Sequence, residues 1–240
     1  MNIYTIGDLH LSAASNKPME IFGDRWTDHD KKIAEAWRKT VQPEDIVVIP
    51  GDISWAIDFD EVLPDLQWLQ ELPGSKILLK GNHEYWWSTG KKLEELKESH
   101  LLTSIRFLYN SYIYIEEKNI CICGTRGWKC PENADLEGFS EQDAKIYRRE
   151  ILRLGMSLEQ ASSCEGKIIA FMHYPPFNFR HDNSGFTELL EQYRVEQCYY
   201  GHLHGPAHRW ALNGKLSEES CTEYRLVSAD YVDFKPVLIL

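Results

Sequence analysis

Five short clusters in this chain carry residues able to do metal-dependent chemistry: Asp8-Leu9-His10, Gly51-Asp52, Gly81-Asn82-His83-Glu84, His173, and Gly201-His202-Leu203-His204. Asp8, Asp52, Asn82, His10, His173, His202 and His204 supply two carboxylates, one amide oxygen and four imidazoles. That mixed oxygen and nitrogen set suits Mn, Fe, Zn, Co or Ni better than Ca, which prefers all oxygen, or a thiolate site. A lone His-x-His in a loop usually does nothing. Five such clusters in this order, each at the end of a predicted strand, are a specific signal.

The elements that must position them are legible as short apolar runs closing on Gly or polar residues: "NIYTIGD", "DIVVIPGD", "KILLKGNH" and "KIIAFMHYPP". Helical patterns, "DHDKKIAEAWRKT" and "DLQWLQEL", separate the first three, so the reading is βαβ units and a largely parallel sheet. In such sheets the carboxyl ends of the strands face one crevice, where ligands bind. Within extended chain, residues i and i+2 point the same way, which would aim Asp8 with His10, and His202 with His204, at one spot. Gly51, Gly81 and Gly201 remove side chains where the backbone turns sharply beside the site. The stretch "RFLYNSYIYIEEKNICICG" alternates in short runs and predicts antiparallel hairpins. A long helix is expected over Ser140 to Ser162, started by the capping box "SEQD", with Ala144, Tyr147, Ile151, Leu154 and Leu158 on its core face. Further strands are expected in "TEYRLVSADYV" and "PVLIL".

With 240 residues and no visible linker or repeat, the expectation is one domain over residues 1–240. A formal net charge of -11 argues against an extended nucleic-acid surface, although a bound cation still attracts a phosphate locally. The first residues lack a secretory pattern and no apolar run has spanning length, so a cytoplasmic protein without a membrane segment is expected. Its six cysteines form no CxxC and should remain thiols, with Cys121 and Cys123 on one face of a core strand.

The ordered set "GDLH", "GD", "GNHE", "MHYPP" and "GHLH" resembles the calcineurin-like metallophosphoesterases, and the match runs from Asp8 to His204. "FGDRW" and "GTRGW" are similar to a bacterial branch of predicted phosphohydrolases. The resemblance implies a four-layer α/β/β/α sandwich of two mixed β-sheets flanked by helices. It implies two divalent metals, Mn favoured, with Asp8, His10 and His204 on one, Asn82, His173 and His202 on the other, and Asp52 bridging. It also implies direct attack on phosphorus by a metal-bridging hydroxide, with His83 stabilising the transition state or protonating the leaving group and Glu84 placed to orient it. A small-molecule phosphomonoester or phosphodiester is the expected substrate.

Two alternatives are a non-catalytic metal-binding scaffold and a phosphoprotein phosphatase. Retention of all seven ligands and His83 weighs against the first. Against the second, "GDISWAID" has Trp55 and Ala56 where protein phosphatases carry Asp and the phosphate-gripping Arg. Arg126 in "GTRGW" either replaces that cation or pairs with a carboxylate. The irregular segment after the first motif resembles a lid or binding loop. Its Arg25 and Trp26, with Trp55, Tyr85, Trp86 and Trp87, either line a substrate pocket or belong to the core. Asn82 can also contact substrate. His29, His100, His181 and His208 have no motif role, and His208 is expected on a strand after the ligand loop.

Overall fold

In the computed structural model, residues 1–15, 17–131 and 139–240 are described. They form two compact units, Met1–Phe107 with Val227–Leu240, and Leu108–Leu226. Each is a mixed five-stranded sheet with helices, so the chain is of the α/β class the motifs predict.

In the first unit, β1 (Ile3–Thr5), β2 (Ile46–Ile49), β3 (Ser75–Leu78) and β4 (Ile105–Phe107) run parallel in that order, and β10 (Val237–Leu238) pairs antiparallel with β1. α1 (His29–Thr40), α2 (Phe59–Glu71) and α3 (Gly90–Ser99) supply the connections. β2 is buried at every residue, as expected of a central parallel strand. Asp58 caps α2, its side chain accepting the Glu61 N–H at 2.9 Å, so this helix starts earlier than its "DLQWLQEL" pattern. Ile33 and Trp37 of α1 and Leu66 and Leu69 of α2 are fully buried.

In the second unit the order is β5 (Tyr112–Ile115), β6 (Ile120–Thr125), β7 (Lys167–Met172), β8 (Gln197–Tyr200) and β9 (Glu223–Leu226), parallel from β6 onward and antiparallel between β5 and β6. α4 (Glu141–Ser162) and α5 (Gly185–Gln192) complete it. The capping box of α4 is present: Ser140 accepts from the Asp143 N–H at 3.1 Å and Asp143 accepts from the Ser140 N–H at 2.9 Å. Leu154 and Leu158 are fully buried, with Tyr147 and Ile151 partly buried beside them and Ala144 half-exposed. Cys121 and Cys123 face α4, where their thiols lie 3.9 Å and 3.7 Å from the carbonyls of Ala161 and Ser157, and all six cysteines are free.

Two expectations about this region change. Only β5 and β6 form a hairpin; Ile105–Phe107, in the run read as part of it, is a parallel edge strand on β3. His208 lies in a 3-10 turn, Gly205–Trp210, not on a strand.

Candidate metal centre

In the first unit the parallel order of β1, β2 and β3 brings their carboxyl ends to one sheet edge, and each end carries a motif. The backbone there is not extended: Asp8, His10 and Asp52 have φ of 57°, 47° and 49°, in the left-handed region that side chains rarely adopt. The i and i+2 alternation therefore does not govern Asp8 and His10. Their loop is instead held by the loop that follows β2, with Asp8 N–H donating to Gly51 O at 3.0 Å and His10 N–H to Asp52 O at 2.9 Å. Residues in strained conformations persist only where their surroundings over-determine them, and such residues cluster at functional sites.

Asp52 is at the focus of this unit. Its Oδ2 lies 3.8 Å from His10 Nε2 and 3.9 Å from His83 Nε2, and its Oδ1 accepts the His83 backbone N–H at 2.9 Å. Asp8 offers a carboxylate oxygen within 4.8 Å of a ligand atom of His10 and within 4.8 Å of one of Asp52. Separations of 3.8 and 3.9 Å are too long for hydrogen bonds. The 3.8 Å between His10 and Asp52 matches two donors on one cation, since metal–ligand bonds of about 2.1 Å put neighbouring donors about 3 to 4 Å apart, whereas the His83 ring lies beside that pair. Asp8, His10 and Asp52 are all buried, so the carboxylates are desolvated and favour a counter-cation.

Glu84 acts on the loop and not on the His83 ring. It is buried, and its Oε1 accepts the N–H groups of Ile53 and Ser54 while its Oε2 accepts those of Asp52 and Gly81. Burial pushes its carboxyl up to about 7, against the pull of those four donors. A side chain at Gly81 would meet Asp52 and Glu84, so the close approach of the two loops requires glycine there, and Asn82 sits in the turn this contact fixes. Gly51 takes φ 91°.

Trp55 packs on this cluster, stacked against His10 at 4.9 Å and tilted over His83 at 4.1 Å between ring centroids. Its indole N–H donates to Met19 Sδ at 3.2 Å and Lys17 Nζ lies 4.4 Å above the ring. Arg25 turns elsewhere, its Nη2 3.3 Å from Asp233 in an exposed ion pair. Trp26, Trp86 and Trp87 are buried, the core half of the alternatives, whereas Tyr85 is exposed. Residues without motif signal also contribute. His29 Nε2 meets His10 O at 3.2 Å, and buried Asp65 accepts the Ser54 hydroxyl and the Ala13 N–H. Burial is the first cause raising the Asp65 carboxyl.

In the second unit β6, β7 and β8 likewise end at one edge. His173, fully buried, follows β7, and His202 follows β8 with φ 73°. His202 Nδ1 and His173 Nε2 are 3.2 Å apart, the separation of neighbouring donors on one cation as well as of a ring–ring hydrogen bond. Tyr174 lies against His202 at 4.1 Å, a contact signalled only by its place beside His173. His204 is extended, φ -126° and ψ 151°. Arg126, at the end of β6, donates from Nη2 to buried Glu150 at 3.1 Å, a carboxylate shared with Arg153 at 2.7 Å and with the Thr125 hydroxyl at 2.7 Å. Of the two readings of Arg126, pairing with a carboxylate is the contact present. Burial pulls its guanidinium below its usual value and Glu150 opposes this.

Among the described residues no helix is long and apolar enough to cross a membrane.

Comparison with known proteins agrees with these motifs. The calcineurin-like phosphoesterase family model matches residues 1–206. Stretches of 86 and 83 residues are 40% and 32% identical to the Gene 66 proteins of Mycobacterium phages D29 and L5, each covering 35% of this chain. The matches span 40% of the length of those curated relatives. Over the whole fold the chain is similar to a protein of unknown function from Aquifex aeolicus (TM-score 0.51, 17% identity, 99% of this chain and 95% of that one). It is also similar to phosphopantetheinyl hydrolase from Mycobacterium tuberculosis (TM-score 0.58, 15% identity, 100% and 95%). With most of its length matched by the family model and its motif residues at the strand ends, this chain belongs to the calcineurin-like phosphoesterase family.

Proposed function

We propose that the two units act as one catalytic domain that hydrolyses a small-molecule phosphate ester with two divalent metal ions, Mn favoured. In this reading Asp8, His10 and His204 would hold one ion, Asn82, His173 and His202 would hold the other, and Asp52 would be shared between them. When bound, the ions supply a nucleophilic oxygen at neutral pH and neutralise charge on the phosphoryl group. The single observation that carries this reading is the set of donor separations: 3.8 Å between His10 Nε2 and Asp52 in one unit, and 3.2 Å between His173 and His202 in the other.

The protein's own residues do the rest. His83 is tied to Asp52 through its backbone N–H and keeps a part-exposed ring, which suits a group that gives a proton to the leaving oxygen. Trp55 fixes that ring by packing against it. Glu84 holds the Asp52 loop to the His83 loop through four N–H bonds, so ligand and proton donor keep one spacing. Arg126 is engaged by Glu150, and a substrate contact there would have to share or displace that pair. Arg25 is exposed and ion-paired with Asp233, and a substrate contact would have to displace that pair. Six free thiols accord with a cytoplasmic location.

The test is the initial rate of metal-stripped, Mn-reconstituted protein on paired chromogenic phosphate monoesters and diesters, with metal content measured in parallel and Asp52→Asn as control. About two Mn per chain and an Asp52-dependent rate are expected, and the faster ester class sets phosphatase against phosphodiesterase. Stoichiometric protein with no bound Mn and no Asp52-dependent rate on either ester overturns the reading.

A further inference from the structure

The second unit contains a cavity of about 340 Å³ whose wall includes His202. It is lined chiefly by rings and apolar groups, among them Phe139, Tyr174, Phe177, Phe179, Trp210 and Ala207. We propose that this cavity receives an aromatic ring carried by the leaving group of the substrate. The inference rests on the reading of His202 as a metal ligand, which puts the phosphorus at the cavity's His202 end.

The shape and chemistry of the walls argue for a flat ring. Phe179 and Trp210 form a tilted stack, 4.4 Å between centroids and 33° between planes, and Tyr174 presents a second ring that already packs on His202 at 4.1 Å. The polar side chains at the wall are turned to protein partners. Asn178 donates to Pro131 O at 3.3 Å and to Asp182 at 2.9 Å, and its carbonyl oxygen accepts the N–H groups of Arg180 and Asp182. Lys129 pairs with Asp143 at 3.0 Å. Cys130 contributes sulfur and not a thiolate, because burial pushes its thiol up to about 12. A sugar or charged group entering here would give up water without compensation, whereas a ring loses little and gains ring faces. The volume lies at the lower end for small-molecule sites, roughly 300 to 1,000 Å³, which fits one ring system beside a phosphoryl group.

The experiment is calorimetric titration of the Mn-loaded protein with unreactive benzyl, cyclohexylmethyl and methyl phosphonates, so that binding is read without turnover. Benzyl phosphonate is expected to bind about 10- to 100-fold more tightly than methyl phosphonate, and more tightly than the cyclohexylmethyl compound. Phe179→Ala with Trp210→Ala should cut the benzyl preference to a few-fold at most, leaving methyl phosphonate affinity as it was. Ala207→Phe removes no wall and fills the cavity, and should do the same. A benzyl affinity no better than that of methyl phosphonate, an equally tight cyclohexylmethyl compound, or a preference that survives these variants overturns the inference while leaving the phosphoesterase reading standing. If none of the phosphonates binds, while benzyl alcohol still titrates into the protein, the metal reading has failed and the leaving-group role fails with it.

Discussion

Replacing Glu84 by Gln tests whether one buried carboxylate holds the two motif loops together. In the native loop Oε1 serves Ile53 and Ser54, and Oε2 serves Asp52 and Gly81. Gln keeps one acceptor oxygen, so its NH₂ group faces two N–H donors that have no other place to go in a site from which water is excluded. Two orphaned buried donors cost about 1 to 3 kcal/mol each, or about 2 to 6 kcal/mol, and removing a buried charge returns part of that, so a net loss of about 2 to 4 kcal/mol is expected. That is a large fraction of a typical total stability of about 5 to 15 kcal/mol. The same change loosens the spacing of Asp52 and His83, and metal affinity should fall about 10- to 100-fold, as for other groups that orient ligands. The assay is urea unfolding at pH 8, above the raised Glu84 value of about 7 so that the wild-type carboxyl is ionised, with Mn titration by calorimetry alongside. Unfolding free energy within about 0.5 kcal/mol of wild type, together with unchanged Mn affinity, would refute the reasoning, because it would mean that the four N–H groups do not depend on a carboxylate.

Three further outcomes are expected. His83→Ala should keep its metal and lose turnover by about 10²- to 10⁴-fold, and lost metal with an unchanged rate per occupied site would remove His83 from its assigned role. Asp143, held below the usual carboxylate range first by the Ser140 hydroxyl and then by the Ser140 N–H and Lys129, contributes stability that is present above its unfolded value and lost as pH falls through its depressed folded value. Asp143→Asn should therefore lower Tm at pH 7, and the gap to wild type should close on acidification; a gap independent of pH contradicts the capping account. Lys76 is fully buried, donates to Leu72 O at the end of α2, and burial lowers its ammonium to about 8 from 10.5. For a base depressed on folding, the unfolded state binds the proton more tightly. Stability should rise between pH 8 and 10.5 by at most about 3 kcal/mol, and this rise should be missing in Lys76→Met when the two unfolding profiles are compared.

What the amino-acid order determined by itself is the chemistry and its placement on strands. Apolar runs of strand length end in Asp, Asn and His, and parallel pairing of β1 with β2 and β2 with β3, and of β6 with β7 and β7 with β8, carries those ends to a common edge in each sheet. The capping box at Ser140 is equally local, since a helix N-terminus is satisfied by residues within one turn. The places where only tertiary structure decided are those in which the partner is remote in sequence. Ile105–Phe107 has the pattern of a hairpin strand, but the open edge of β3 offered parallel hydrogen bonds, and edge pairing is not encoded in alternation. Asp8 and His10 leave the extended conformation because the Gly51 and Asp52 carbonyls, over 40 residues away, take their N–H groups. Glu84 is read from sequence as a neighbour of His83, yet its carboxylate answers to N–H groups some 30 residues earlier, because an unsatisfied buried donor costs more than a solvent-facing contact gains. Arg126 and Glu150 come from a strand and a helix separated by 24 positions, and their pairing in a desolvated layer is the least costly way to bury either charge. The cavity beside His202 is likewise assembled from rings whose common periodicity in the chain is nil, so packing alone brings them to one wall.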